Sequence, residues 1–267
     1  PDQHWDVIVV GGGIIGAGVL REATRRGLKA LLIEQRDFAW GTSSRSSKMV
    51  HGGLRYIAQG DIKLTQHSVQ ERERLLREVP GLVERIGYYF LLRKGQFPGR
   101  FIMSTLLCIY DWLAGIKDNQ YVDKKTVAEH FPGIENKNLK GACYYTDTAV
   151  DDARLVLRVL QESIQDGGQV LNYVQAKKLI KDPAADDQVC GLVVENVSDN
   201  EGAQDGEHLE LNAKVVINAT GAWADRLRNE VIKEKRIRPL RGSHLVFSHQ
   251  QLPVNAALTL FHPKDKR

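Results

Sequence analysis

Sixteen residues, "GTSSRSSKMVHGGLRY" at positions 41–56, gather five aliphatic hydroxyls, three cations, a histidine and a glycine pair. Thr42, Ser43, Ser44, Ser46 and Ser47 can donate to the oxygens of a polar ligand, and Lys48 can offset the charge of a phosphate. The stretch has neither a helical nor a strand period and too few apolar residues to be core. A solvated Ser-rich loop is the plain alternative for such a composition.

Upstream, "GGGIIG" matches G-x-G-x-x-G through Gly11, Gly13 and Gly16. The first glycine permits a tight turn, the second lets backbone approach a pyrophosphate, and the third allows close helix–strand contact. Phosphates would then meet the free N–H groups and dipole of a helix N-terminus. Glu34 follows at the end of a second apolar run, where a carboxylate binds ribose hydroxyls and repels a 2′-phosphate. A dinucleotide site is therefore expected. FAD and NAD share this fingerprint. "NATGAW", with Thr220-Gly221, supplies a second glycine turn of the kind that closes over the cofactor in two-part flavoprotein folds.

These residues need elements to hold them. "DVIVV" (6–10) and "KALLIE" (29–34) read as buried parallel strands, with a helix over 14–26 between them. Amphipathic helices are predicted over 61–79 and 151–166. Strands are expected at 169–174, 177–181, 189–197, 208–212 and 214–221, with a polar turn at 198–207. Periodicity is weaker from 80 to 150. The pattern predicts an α/β, doubly wound nucleotide domain carrying insertions.

The 267 residues, 42% hydrophobic and 26% charged, suit a globular protein with one large or two medium domains. A net charge of +4 fits an anionic ligand or membrane surface. With no block of like charge, no RNA-binding aromatic motif and no zinc-ligand spacing, neither nucleic acid nor a metal is expected. Cys108, Cys143 and Cys190 lie far apart, which argues against disulfides and for a reducing compartment. The N-terminus lacks the pattern of a signal peptide. "FPGRFIMSTLLCIYDWLAGIK" (97–117) is too short an apolar run to span a bilayer. It reads either as a helix packed on the protein's own core or as one lying on anionic lipid.

The blocks "DVIVVGGGIIGAG", "GTSSRSSKMVHGGLRY", "VDDARLVL", "VINATGAW" and "RGSHLVF", in this order, closely resemble the FAD-dependent glycerol-3-phosphate dehydrogenases and their oxidase relatives. The resemblance implies a Rossmann-like FAD-binding domain, doubly wound and mostly parallel with a β-meander, plus part of a substrate domain on a mixed or antiparallel sheet. It implies oxidation of sn-glycerol 3-phosphate to dihydroxyacetone phosphate by hydride transfer to flavin N5, with quinone or oxygen as electron acceptor. The implied FAD set is Gly11, Gly13, Gly16, Glu34, Gln35, Thr42, Ser43, Ser44, Ser47, Lys48, His51, Gly52, Gly53, Ala219, Thr220 and Gly221. The cofactor is expected to be non-covalent. Arg55, Tyr56 and His244 are the implied catalytic residues. Core packing is the alternative for Tyr56 and a salt bridge for Arg55. His244 is either general base for the C2 hydroxyl or a hydrogen-bond donor to phosphate.

The expected organisation is FAD-binding segments at 1–79 and 151–232, an insertion with the lipid-facing candidate at 80–150, and the start of a substrate-domain sheet at 233–267. Relatives run further than this chain, so it is expected to be a fragment, at best a weak flavin binder by itself. Peripheral attachment to the inner face of the cytoplasmic membrane is expected, and a homodimer is left open. Two other readings stand beside this one: a flavin enzyme of the same fold acting on amines or 2-hydroxy acids, and a non-catalytic dinucleotide-binding module.

Overall fold

The computed structural model describes residues 4–135, 137–198, 208–254 and 256–260. In chain order the elements are β1 (His4–Val10), α1 (Ile14–Arg25), β2 (Ala30–Ile33), β3 (Met49–Val50), α2 (Leu54–Ala58), α3 (Ile62–Glu78), β4 (Val83–Arg93), α4 (Arg100–Ala114) and β5 (Gln120–Asp123). They continue as α5 (Lys124–His130), β6 (Leu139–Val150), α6 (Asp152–Gln165), β7 (Gln169–Leu171), β8 (Val174–Asp182), β9 (Gln188–Asn196), β10 (His208–Asn218), α7 (Ala224–Arg228) and β11 (Ala257–Thr259). Residues 1–47 with 151–242 make one compact unit, and residues 48–150 with 243–267 a second.

The first unit is built on a six-stranded sheet in the order β7-β2-β1-β10-β9-β8. β1 runs parallel to β2 and β10, and β2 parallel to β7, whereas β9 runs antiparallel to β10 and β8. This is the expected doubly wound sheet with a meander. β1 and β2, at its centre, are apolar on both sides because both faces are covered there. Val7, Val9 and Leu32 pack with α1 and α6 through Leu20, Val156 and Leu160. Ile8, Val10, Leu31 and Ile33 pack the other way, on Leu179, Leu192 and Leu227. Asp151 caps α6 by accepting from the Arg154 amide.

Two strand expectations change. The expected strand at 169–174 breaks at Tyr173, whose φ of 58° is left-handed, and β8 begins after it. The pair at 208–212 and 214–221 is one strand, β10. Asn212 pairs with both His4 and Gly191, so ladders on two sides carry the chain through a polar stretch that reads as a break. From residue 199 the expected 198–207 turn lies outside the described residues, as do residues 261–267.

In the second unit β4 and β6 form a long antiparallel pair within a sheet ordered β11-β4-β6-β3, with β5 also on β6 and β11 parallel to β4. This is the expected mixed sheet. α3 and α4 cover one face through Val69, Met103, Leu107 and Tyr110 against Tyr88, Phe90 and Tyr145. Val127 and Phe131, from α5 and its end, cover the other face at Tyr89 and Leu91. Cys108, Cys143 and Cys190 are all free. Among the described residues no helix is long and apolar enough to cross a membrane.

Candidate active site

A groove of about 410 Å³ opens where β1 ends and α1 begins. Gly11 turns with φ of 113°, and a Cβ there would lie 2.6 Å from the carbonyl oxygen of Ala219. A Cβ on Gly16 would overlap the carbonyl oxygen of Gly11, so α1 can sit this close to the turn only without a side chain there. Gly13 precedes α1 in extended conformation, with no side-chain cap. The Ile14 amide donates to Oγ of Ser43 at 3.0 Å. Ile15, an apolar side chain on the groove wall, stays 68% exposed. The helix start thus combines free N–H groups, a positive dipole end and a nearby hydroxyl, a setting that favours phosphate oxygens.

Glu34 stands at one end of the groove. Its Oε2 accepts from the Gly12 amide at 2.8 Å and its Oε1 from the Arg36 amide at 2.9 Å. Val174 and Ala176 provide an apolar wall next to Gln35, whose Oε1 accepts from Nε2 of Gln175 at 3.3 Å. Thr42 and Ser43, in a 3₁₀ turn, and Thr220-Gly221 line the groove elsewhere. Trp40 and Trp223 also line it, ring centroids 5.8 Å apart, with the guanidiniums of Arg36 and Arg45 at 4.1 and 4.8 Å from the Trp40 ring. Hydroxyls, amides, a fixed carboxylate and an apolar wall in one groove make a set that a dinucleotide fits: apolar contact for a base, a carboxylate for ribose, amides for pyrophosphate.

Of the residues expected around the cofactor, Gly11, Gly13, Glu34, Gln35, Thr42, Ser43, Ala219, Thr220 and Gly221 line this groove. Gly16 lies buried beneath it. The Ser44 hydroxyl donates to the carbonyls of Trp40 and Gly41, each at 3.4 Å. Ser46 donates to Asp152 at 2.7 Å, and Ser47 is exposed. Lys48, with φ of 55°, begins the second unit.

His51, Gly52, Gly53, Arg55 and Tyr56 belong to that second unit. Gly53 turns with φ of 76° into α2, which carries Arg55 and Tyr56 in its first turn. His51 and Tyr56 lie 6.5 Å apart between ring centroids, and the Arg55 guanidinium is 6.0 Å from the Tyr56 ring. Among the described residues Arg55 forms no ion pair, in contrast to Arg72, which is fully buried and paired. His244 is exposed in a stretch, 232–248, without helix or strand.

Sequence reasoning missed a buried polar cluster beneath the Gly52-Gly53 turn. Arg72 Nη1 donates to Asp147 Oδ1 at 3.0 Å and to the Tyr110 hydroxyl at 2.9 Å, and that hydroxyl donates to Asp147 Oδ2 at 3.1 Å. Burial pushes the Asp147 carboxyl above the usual range, against the pull of Arg72. Burial and the Asp147 charge push the Tyr110 phenol up as well. For Arg72, burial opposes the charge, but Tyr110 and Asp147 outweigh it and hold the guanidinium protonated. One signal was present in the sequence: Thr65, Val69 and Arg72 fall at i, i+4, i+7, which puts an arginine on the buried stripe of α3. Trp40 and Trp223 were missed too, because a groove wall carries no period.

Residues 6–266 match the model of the family described as FAD dependent oxidoreductase. The chain belongs to that family. This FAD-dependent oxidoreductase is 35% identical over 271 residues to the aerobic glycerol-3-phosphate dehydrogenase of Staphylococcus haemolyticus, an alignment covering 100% of this chain and 47% of that one. It thus spans about half the length of the curated relatives it matches. It superposes on the glycerol-3-phosphate dehydrogenase of Bacillus halodurans, solved complexed with FAD, with TM-score 0.64 and 29% identity, covering 86% of this chain and 36% of that one. The FAD-bound L-alpha-glycerophosphate oxidase of Mycoplasma pneumoniae, at 18% identity and TM-score 0.58, covers 86% of this chain and 57% of its own and speaks for the fold alone. FAD is the cofactor of this oxidoreductase family, and the groove's donor set fits its dinucleotide.

Proposed function

We propose that the chain takes part in the FAD-dependent oxidation of sn-glycerol 3-phosphate to dihydroxyacetone phosphate. The observation that carries this is the 35% identity to a glycerol-3-phosphate dehydrogenase along all of the chain. Arg55, exposed and without a carboxylate partner among the described residues, supports a phosphate-bearing substrate. An unpaired guanidinium is a ready bidentate donor to a phosphate, whereas an amine or a 2-hydroxy acid without phosphate leaves it no such role.

Gly11, Gly13, Glu34, Gln35, Thr42, Ser43, Ala219, Thr220 and Gly221 hold the dinucleotide along the groove, with Gly16 supporting the turn. When bound, FAD supplies the acceptor for the two electrons that leave C2 of the substrate. Arg55 binds the phosphate and Tyr56 lines the same pocket, while His51, Gly52 and Gly53 would approach the isoalloxazine. His244 takes the proton from the C2 hydroxyl as general base. Quinone is the favoured acceptor, reached at an anionic membrane surface. α4 supports this last step, since Phe101, Thr105, Cys108 and Trp112 form an exposed stripe at helical spacing, with basic Arg93, Lys94, Arg100 and Lys117 near its ends.

The test is an anaerobic visible spectrum of the purified protein with FAD, before and after addition of glycerol 3-phosphate, glycerol or an amino acid. Bleaching of the flavin band by glycerol 3-phosphate alone is the outcome that supports this reading. Bleaching by an amino acid instead would move the substrate class to amines. A band that none of the three changes would leave a dinucleotide-binding module.

A further inference from the structure

We propose that Arg72, Tyr110 and Asp147 are positioning residues: buried in the second unit, they fix the Gly52-Gly53 turn and so set where Arg55 and Tyr56 stand. The inference rests on the reading above that Arg55 and Tyr56 meet the substrate.

The backbone from Val50 to Gly53 is held from several sides. Thr148 Oγ1 donates to the Val50 carbonyl. The Gly52 amide donates to the Tyr110 hydroxyl at 2.8 Å and to Asp147 Oδ1 at 3.2 Å. The Gly53 carbonyl accepts from Thr65 Oγ1 at 3.4 Å and from the Tyr56 amide at 2.8 Å. These side chains come from α3, α4 and β6, so the turn is referenced to three elements at once. There is no slack around it either. A Cβ on Gly52 would overlap both the Tyr110 hydroxyl and Val69.

A buried ion pair is a poor way to hold a sheet together, since apolar side chains of similar volume do as well or better. The surrounding core is already apolar and aromatic, with Tyr88 and Tyr145 stacked at 5.3 Å between centroids. What a charged pair adds there is direction. Arg72 orients the Tyr110 hydroxyl and the Asp147 carboxylate so that both accept from one amide. Arg72 is in turn fixed through Glu73, at 2.8 Å, which also accepts from Arg85 at 2.6 Å. α2 starts at the residue after Gly53, so a small rotation of the turn carries straight through to the Arg55 guanidinium. Misplacement of a binding group by about 1 Å can cost up to about a hundredfold in rate.

The FAD-loaded protein is compared with its Tyr110→Phe and Asp147→Asn variants by FAD stoichiometry, kcat, KM for glycerol 3-phosphate and amide exchange of segment 49–56. Tyr110→Phe keeps the ring and the Arg72–Asp147 pair and removes one acceptor of the Gly52 amide. It decides alone if Asp147→Asn does not fold. FAD stoichiometry is expected to hold, with KM rising on the order of tenfold and exchange in 49–56 accelerating. Kinetic constants within twofold of wild type would make the cluster merely structural and overturn the inference, even if exchange rises. Arg55→Lys is run in parallel. If it leaves KM unchanged while Tyr110→Phe raises it, the assignment of Arg55 falls and the positioning role stands through Tyr56 alone; if neither moves KM, both fall. If glycerol 3-phosphate is not turned over at all, the substrate reading falls, and unaltered exchange in 49–56 of Tyr110→Phe overturns the inference as well.

Discussion

The Gly12 amide donates to Oε2 of Glu34 at 2.8 Å, tying the glycine turn after β1 to the end of β2. The other carboxylate oxygen accepts from the Arg36 amide. An ionised carboxylate offers about four lone-pair sites, so two remain for ribose hydroxyls after both amides are satisfied. Glutamine has one carbonyl oxygen and must turn an NH₂ toward one of the two amides. Glu34→Gln is therefore expected to weaken FAD binding by roughly tenfold to a hundredfold, the loss of a charge-assisted hydrogen bond. Titration of the apoprotein with FAD reads this directly, and a Kd within twofold of wild type would remove Glu34 from the site.

Two glycines of α1 give opposite predictions. Gly16→Ala puts a methyl into the Gly11 carbonyl oxygen, backbone against backbone, so helix and turn must separate. The expected cost is about 1–3 kcal/mol of overpacking, with loss of FAD affinity as the turn moves. Gly18 lies inside the same helix, and a methyl added to it would meet nothing within 4 Å. Gly18→Ala should stabilise by up to about 1 kcal/mol through helix propensity. Thermal melts of the two variants with and without FAD check both signs.

The parts of the fold that the sequence announces are those where burial and period coincide. β1 and β2 are continuous apolar runs because both faces are covered, and α6 carries its acidic start and glycine end in plain view. The Gly-rich turn and Glu34 were legible because each residue type has a single physical reason to be there. The Arg72–Asp147 bond spans 75 residues, and the Arg72–Tyr110 bond spans 38. Period tells which face of α3 is buried, but not which distant polar group an arginine on that face will find. Asp111 makes the same point. It interrupts an apolar run, yet it is buried, and its Oδ2 accepts from the Asp118 and Asn119 amides at 2.8 Å each, closing the turn after α4. His244 had no period or fingerprint of its own and was placed by resemblance.

The exposed face of α4 predicts a lipid response that leaves the fold untouched. Phe101 is 87% exposed and Trp112 76% exposed, so neither contributes much to the core. Phe101→Ser with Trp112→Ser should leave the melting temperature near that of wild type. Co-sedimentation with anionic vesicles should fall severalfold, since each buried aromatic ring adds apolar area to the lipid contact. Binding that persists undiminished would assign this face another role.

Alkaline pH should loosen the second unit through its buried phenols. Burial, helped by the Asp147 charge, pushes Tyr88 up to about 12 and raises Tyr145 as well. An unfolded tyrosine titrates near about 10. The folded state therefore keeps protons that the unfolded state releases, and stability present below about pH 10 drains away as pH rises through the window above it. Tyrosinate absorbance and loss of far-UV circular dichroism should then rise together, in one cooperative step, in place of a gradual titration with the fold intact. Tyr88→Phe removes one such group and should move the alkaline midpoint upward. Tyrosinate appearing near pH 10 with the circular dichroism unchanged would show that these hydroxyls reach water in the folded protein.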